Sequence, residues 1–270
     1  MATIPIYQVD AFADSVFRGN PAAVCFLDTW LDASVMQDIA AENNLSETAF
    51  VIPSDDEVAD YDLRWFTPTE EVRLCGHATL ATASVILNQR DPGRSKVTFS
   101  TLSGNLTVNR KDNGYEIDLP SLPPVNAPTP DELSDIVNGA PVLFLRERDD
   151  GGKNLAILET AEQVRSAAPD MQLTMRLPGD GLIISAPGDA VDNCDFVSRY
   201  FAPNGGIPED PVTGSAHSVL VPYWSERLGK LIMSARQVSH RGGSLSCRLN
   251  GGRVVLGGNA VLFLEGTISI

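Results

Sequence analysis

Short apolar runs rich in β-branched and aromatic side chains recur through the first half of the chain, at residues 4–9, 22–27, 48–52, 61–66, 96–100, 105–109 and 115–119. Their alternating or continuous hydrophobicity predicts β-strands, punctuated by Gly, Pro and Asp. Two stretches follow the helical period instead. Asp32 stands as an N-cap for a helix over 33–43, with Val35, Met36, Ile39 and Ala40 on one face. The second covers about 76–88 and is apolar nearly all round, the pattern of a buried helix.

The second half repeats this order. Strands are expected at 142–146, 154–158, 181–186 and 196–201, a helical stretch near 161–167, a second apolar helix at about 214–228, and strands at 231–238, 245–249, 253–256 and 261–264. A pentapeptide marks the repeat: Arg64-Trp65-Phe66-Thr67-Pro68 returns 135 residues later as Arg199-Tyr200-Phe201-Ala202-Pro203, in a chain of 270. Seven residues beyond each proline, Cys75-Gly76-His77-Ala78 and Asp210-Pro211-Val212-Thr213-Gly214-Ser215-Ala216 lead into the apolar helices. In this register Cys75 is matched with Asp210.

The expected fold class is α+β, with two pseudo-symmetric lobes, each a curved, mainly antiparallel sheet or barrel around a central helix. The first lobe is expected over 1–119, with the C-terminal strand at about 261–270 as a candidate to complete it, and the second over 131–260. Between them, prolines at 120, 123, 124, 128 and 130 argue for an irregular linker over 120–130. Two lobes that each carry a polar helix start suggest one site between them.

Composition narrows the partners. A hydrophobic fraction of 43% with 20% charged residues belongs to a globular chain. The formal charge of −15 repels phosphate backbones and anionic bilayers, so neither nucleic acid nor membrane is expected as a partner. The N-terminal residues lack a basic and then apolar leader pattern, and cytoplasmic location is the resulting expectation. Cys25, Cys75, Cys194 and Cys247 show no close pairing, and His77, His217 and His240 lack ligand spacing, so neither a disulfide framework nor a metal site is expected.

Candidate chemistry lies at the helix starts. The first amides of a helix have no partner within it and carry the positive end of the macrodipole, so two such starts could hold the carboxylate of a small ligand. Read individually, His77, Thr213 and Ser215 also suit ordinary caps and first-turn positions. Glu47 is a lone carboxylate where a helix gives way to an apolar strand; buried there, it could take and return a proton near neutral pH. A surface Glu at a strand start is the competing reading. Ser215 and His217, two apart on a helix, face away from each other, and no phosphate loop or dinucleotide fingerprint is present.

Six segments together resemble the phenazine-biosynthesis PhzF-like family, whose members share a fold with diaminopimelate epimerase. They are Gln8-Val9-Asp10-Ala11-Phe12, Gly19-Asn20-Pro21-Ala22-Ala23-Val24, Asn44-Leu45-Ser46-Glu47-Thr48-Ala49-Phe50-Val51, Arg64-Trp65-Phe66-Thr67-Pro68, Leu74-Cys75-Gly76-His77-Ala78-Thr79 and Glu209-Asp210-Pro211-Val212-Thr213-Gly214-Ser215-Ala216. The resemblance implies a cofactor-independent isomerase that transfers a proton at carbon in a small carboxylated metabolite. It puts Glu47 at the acid/base position and His77, Asp210 and Ser215 at the other polar positions of the pocket. The backbones of Gly76 and of Gly214, Ser215 and Ala216 would supply the carboxylate cradle, Asn20 is a candidate for the same wall, and Ser46, Cys75 and Thr213 are further substrate-binding positions. No cofactor and no metal are implied, and a homodimer is.

Cys75 departs from the phenazine enzyme's own pattern and stands where epimerase and racemase relatives place one of two catalytic thiols. A helix start can lower a thiol's pKa, and a buried structural cysteine is the competing reading. A Cys75-dependent epimerase of an amino or hydroxy acid therefore stays open at this level, as does a metabolite-binding protein without turnover.

Overall fold

The computed structural model describes residues 3–137, 139, 141–148 and 152–270. They divide into two units, one of Met1–Leu119 with Gly257–Ile270 and one of Pro120–Leu256. In the first unit β1 (Thr3–Ala11) pairs antiparallel with β2 (Asn20–Phe26) on one side and with the last strand, β18 (Ala260–Ser269), on the other. Helix α1 (Ala33–Asn43) then carries the chain over to β3 (Glu47–Pro53), which runs parallel to β2. After an antiparallel turn to β4 (Tyr61–Phe66) and the two-residue β5 (Glu71–Val72), helix α2 (Gly76–Val85) crosses to β6 (Lys96–Ser100), parallel to β4. Strands β7 (Leu106–Lys111) and β8 (Gly114–Pro120) follow as antiparallel neighbours.

The second unit uses the same sequence of pairings. Its first elements are β9 (Val125–Asn126), α3 (Leu133–Ile136) and β10 (Leu143–Arg146). Strand β11 (Asn154–Ile157) runs parallel to β12 (Leu182–Pro187), and α4 (Ala161–Ser166) and α5 (Met171–Thr174) lie in the connection. Then β12 pairs antiparallel with β13 (Phe196–Ala202), β14 (Ile207–Asp210) folds back on β13, and α6 (Gly214–Leu228) crosses to β15 (Ile232–Gln237), parallel to β13. Strands β16 (Gly243–Asn250) and β17 (Arg253–Gly258) come next. The α+β class with mainly antiparallel sheets holds, and each parallel pairing is one that a helical crossover requires.

Local chemistry explains the helices. All ten residues of α2 are buried, as its all-round apolarity demands, and it packs against β1, β2, β3, β7 and β18. The predicted run to about 88 ends differently: a π-helical turn, Ile86–Arg90, follows the α-helix. Asp32 occupies the N-cap position of α1 but makes no side-chain cap bond, whereas Asn44 closes the helix in the left-handed region at φ 49° with its N–H on Ala40 O. Met36, Ile39 and Ala40 face Phe50, Phe66 and Cys25; burying side chains the size of Met or Ile stabilises by about 2 kcal/mol each.

Helix α6 contains Pro222, which removes the N–H that would meet the carbonyl four residues back. The Leu122 N–H meets that Ser218 carbonyl instead, at 2.9 Å. The proline-rich run is therefore not wholly irregular: it caps a helix interior, and Val125–Asn126 pair with Arg146 and Leu145. Trp224 fixes the other end of α6, stacking on Phe196 at 5.7 Å and donating from Nε1 to Ser185 Oγ at 2.9 Å.

The repeated pentapeptide has a physical role in both units. Arg64 grips Glu71 of β5 with two parallel bonds of 2.7 Å, and Arg199 grips Glu209 of β14 at 2.6 and 2.9 Å. Each fork ties a central strand to the short strand that delivers the chain to a helix start. Arg199 is the more deeply set, and its Nη1 also donates to the carbonyls of Val164, Arg165 and Ala167. Replacing Arg199 with Met should cost about 2 kcal/mol and Arg64→Met about half of that, with Lys at 199 recovering only part of the loss. Urea unfolding of the variants checks this ordering, and equal midpoints for Arg199→Lys and the parent would contradict it.

Candidate active site

In the first unit, the start of α2 meets the starts of β2 and β3. The parallel register sets Ala22 beside Glu47, so the first residue of β3 lies close to the strand that begins at Asn20. Asn20 is held in place from behind. Asp10 Oδ2 accepts the Phe17 N–H at 2.7 Å, closing the loop after β1. Gly19 adopts φ 64°, and a Cβ there would stand 2.1 Å from Ala11 O, so only glycine fits.

His77 is the hub. Its Nδ1 lies 3.1 Å from Asn20 Nδ2 and 3.5 Å from Cys75 Sγ, and its Nε2 lies 3.2 Å from Glu47 Oε2. With the Asn20 amide N–H as donor to Nδ1, the neutral imidazole carries its proton on Nε2, the nitrogen nearer the carboxylate, and the 3.2 Å contact there is a close approach rather than an aligned hydrogen bond. The His77 side chain is 3% exposed and that of Glu47 12%, so the contact is nearly dry while the carboxylate keeps a path outward. Cys75 occupies the N-cap position of α2 in extended conformation.

The other thiols have different surroundings. Burial pushes Cys25 up to about 12 and Cys194 up to about 11, with Asp192 adding to the second. Burial also raises Cys247. Protonated at neutral pH, these three are poor nucleophiles.

In the second unit the start of α6 is built around Asp210. The Thr213 hydroxyl donates to Asp210 Oδ2, and so does not cap the helix. Gln237, wholly buried on β15, accepts the Thr213 N–H at 2.8 Å and donates to the Asp210 carbonyl at 2.6 Å. His217 Nδ1 donates to Thr213 O at 2.8 Å. Ser215 is half-buried in the first turn of α6. Gln237 escaped the sequence reading; it ends a strand whose alternate residues Met233 and Ala235 are buried, and that period was the signal available.

Of the residues singled out from sequence, Asn20, Glu47, Cys75 and His77 come together in the first unit. Gly76 follows Cys75 at the buried start of α2, and Ser46 is half-buried in the turn before β3. Asp210 and Thr213 come together in the second unit, with Gly214, Ser215 and Ala216 opening α6. One correction follows from the ladders. Trp65 pairs with Val72 and Tyr200 with Asp210, so the counterpart of Asp210 is Val72. Cys75 corresponds to Thr213, each being the N-cap residue of its helix. The second unit has three more residues here, and the 3-10 turn Pro203–Gly205 lies in that connection.

A family-wide sequence profile for phenazine biosynthesis-like proteins matches residues 9–266. A Pseudomonas aeruginosa protein named as an uncharacterized isomerase is 47% identical over 267 residues, 99% of each chain. The crystal structure of a phenazine biosynthesis PhzF family protein from Enterococcus faecalis superposes over 100% of both chains with a TM-score of 0.91 and 44% identity. A hydroxyproline epimerase from Agrobacterium vitis shares the fold, at 10% identity and a TM-score of 0.66 over 98% of this chain and 92% of its own. Among the described residues, no helix is long and apolar enough to cross a membrane.

His217 gives the second unit a pH dependence. Burial lowers its pKa from 6.5 to about 4, partly offset by the bond to Thr213. The unfolded chain therefore takes up a proton that the folded chain refuses between these values. The corresponding stability is present above about 6.5 and is lost as pH falls toward 4, amounting to roughly 3 kcal/mol. Urea titrations of the parent and His217→Gln across this range should show the parent losing more stability on acidification, and parallel profiles would refute the assignment.

Proposed function

The chain belongs to the phenazine biosynthesis-like family and is an enzyme of the isomerase class, and we propose that it moves a proton between carbon positions of a small carboxylated metabolite without a cofactor. The observation that carries this reading is the contact of Glu47 Oε2 with His77 Nε2 at 3.2 Å. A carboxylate at the rim of an apolar strand, close to an imidazole held from its other side by Asn20, is suited to accept a proton from carbon and return it. His77 steadies the carboxylate as its charge changes. The amides that open α2 would bind the substrate carboxylate, and Asp210 and Ser215 stay candidates, implied by the family resemblance, for polarising groups.

A second reading is favoured by the Cys75 Sγ to His77 Nδ1 distance of 3.5 Å. A thiol beside an imidazole can act as a base once it has given up its proton, which would make the protein a Cys75-dependent epimerase. The correspondence of Cys75 with Thr213 weighs against a symmetric pair of thiols.

Incubation with candidate small carboxylic acids in deuterated water separates the two. On the leading reading a genuine substrate gains solvent deuterium at carbon, Glu47→Gln slows this by about 10²–10⁴-fold, and Cys75→Ala retains most of the activity. Full exchange by Glu47→Gln would sink the carboxylate mechanism, and loss confined to Cys75→Ala would establish the thiol one.

A further inference from the structure

Glu47, Cys75 and His77 also form a ligand set that chain spacing conceals. One ligand-type atom from each, a carboxylate oxygen, a thiol sulfur and an imidazole nitrogen, lies within 4.8 Å of the other two. Among the described residues it is the one group of three or more such side chains drawn this close. Cys75 is the N-cap residue of α2, His77 lies in its first turn and Glu47 opens β3, so the set is placed by regular structure.

Around zinc, sulfur stands at about 2.3 Å and nitrogen or oxygen at about 2.0–2.2 Å, which makes the edges of the coordination tetrahedron about 3.4–3.6 Å long. The three side chains thus need to close by roughly an ångström at most. A thiolate and an imidazole select a zinc-like cation over magnesium or calcium. One carboxylate and one thiolate match the charge of a divalent ion, and three protein ligands leave a fourth position for water. With Nε2, 3.2 Å from Glu47 Oε2, as the metal ligand, the ring proton sits on Nδ1, and the Asn20 side chain 3.1 Å away accepts it once its amide oxygen is turned toward the ring, the role that outer-shell partners of metal-bound histidines play.

We infer that this chain binds one thiophilic divalent cation, of the zinc or cobalt(II) kind, through Glu47, Cys75 and His77. The sulfur–metal bond forms as the Cys75 thiol proton leaves to solvent, and no oxidation state changes. The bound ion occupies the carboxylate of Glu47, so the metal-loaded and proton-transferring forms exclude each other. The inference rests on the ligand geometry and not on the proton-transfer reading.

The test uses the full chain, stripped with EDTA and kept reduced, and titrated with cobalt(II) chloride and then zinc chloride. One equivalent of cobalt per chain should produce a thiolate-to-metal charge-transfer band in the near ultraviolet, which one equivalent of zinc removes. Cys75→Ala and His77→Ala should lose the band, Cys194→Ala should keep it, and Asn20→Ala should weaken zinc binding by about 10–100-fold. X-ray absorption at the zinc edge of the unmodified chain needs no variant to fold, and should show one sulfur at about 2.3 Å among nitrogen and oxygen neighbours. A zinc shell without sulfur, or a cobalt band that survives Cys75→Ala, overturns the inference. Binding is read without substrate, so failure here leaves the isotope-exchange outcome untouched, and the reverse also holds.

Discussion

An imidazole buried at the start of a helix that is itself buried on every side has to find its partners among its neighbours. Leaving a polar ring unpaired in such a place costs a few kcal/mol. Three chain segments meet around His77 in answer: Asn20 from the start of β2, Glu47 from the start of β3 and Cys75 from the turn into α2. Each arrival depends on a local device. Gly19 and Asp10 fix Asn20, the left-handed Asn44 turns the chain out of α1 toward Glu47, and the Arg64–Glu71 fork holds the strand that leads to Cys75. The same ring that the core must satisfy is the group on which both the proposed proton transfer and the proposed metal site depend.

The repeat separates scaffold from chemistry. Pairing order, helical crossovers and the arginine–carboxylate forks recur in both units. The polar groups at the helix starts do not recur. One unit gathers imidazole, carboxylate and thiol, while the other surrounds a carboxylate with a threonine hydroxyl and a buried amide. Three added residues before the second helix shift the correspondence, so that the acid read as facing Cys75 in sequence is matched by Val72 in structure.

Most of the scaffold was legible because its signals are local. Period-two strands, an all-apolar helix and a recurring pentapeptide each express burial within a few residues. The short strands β5 and β14, of two and four residues, were not, since ladders that short carry no clear period of their own. The apolar run of β18 marks only 261–264, because Glu265 and Gly266 interrupt it, and a C-terminal strand over about 261–270 is read from the layout of the lobes; pairing with β1 spans Ala260–Ser269. In the site, Glu47 and His77 were readable as candidates, but their contact spans 30 positions of chain and depends on a parallel register. Gln237 serves a turn that lies 24 and 27 residues before it. Side chains of this kind acquire meaning only when the strands are in place.

In the proposed mechanism a single carboxylate, that of Glu47, both removes and returns the proton. The most direct measurement follows a substrate deuterated at the donor carbon through turnover in ordinary water, with the label in the product read at low conversion. A single-carboxylate shuttle predicts that part of the deuterium reappears at the acceptor carbon, because the acid formed on Glu47 can return it before exchanging with solvent. Complete loss of the label under the same conditions, with the product proton drawn wholly from solvent, would contradict the account and point to two separate acid/base groups.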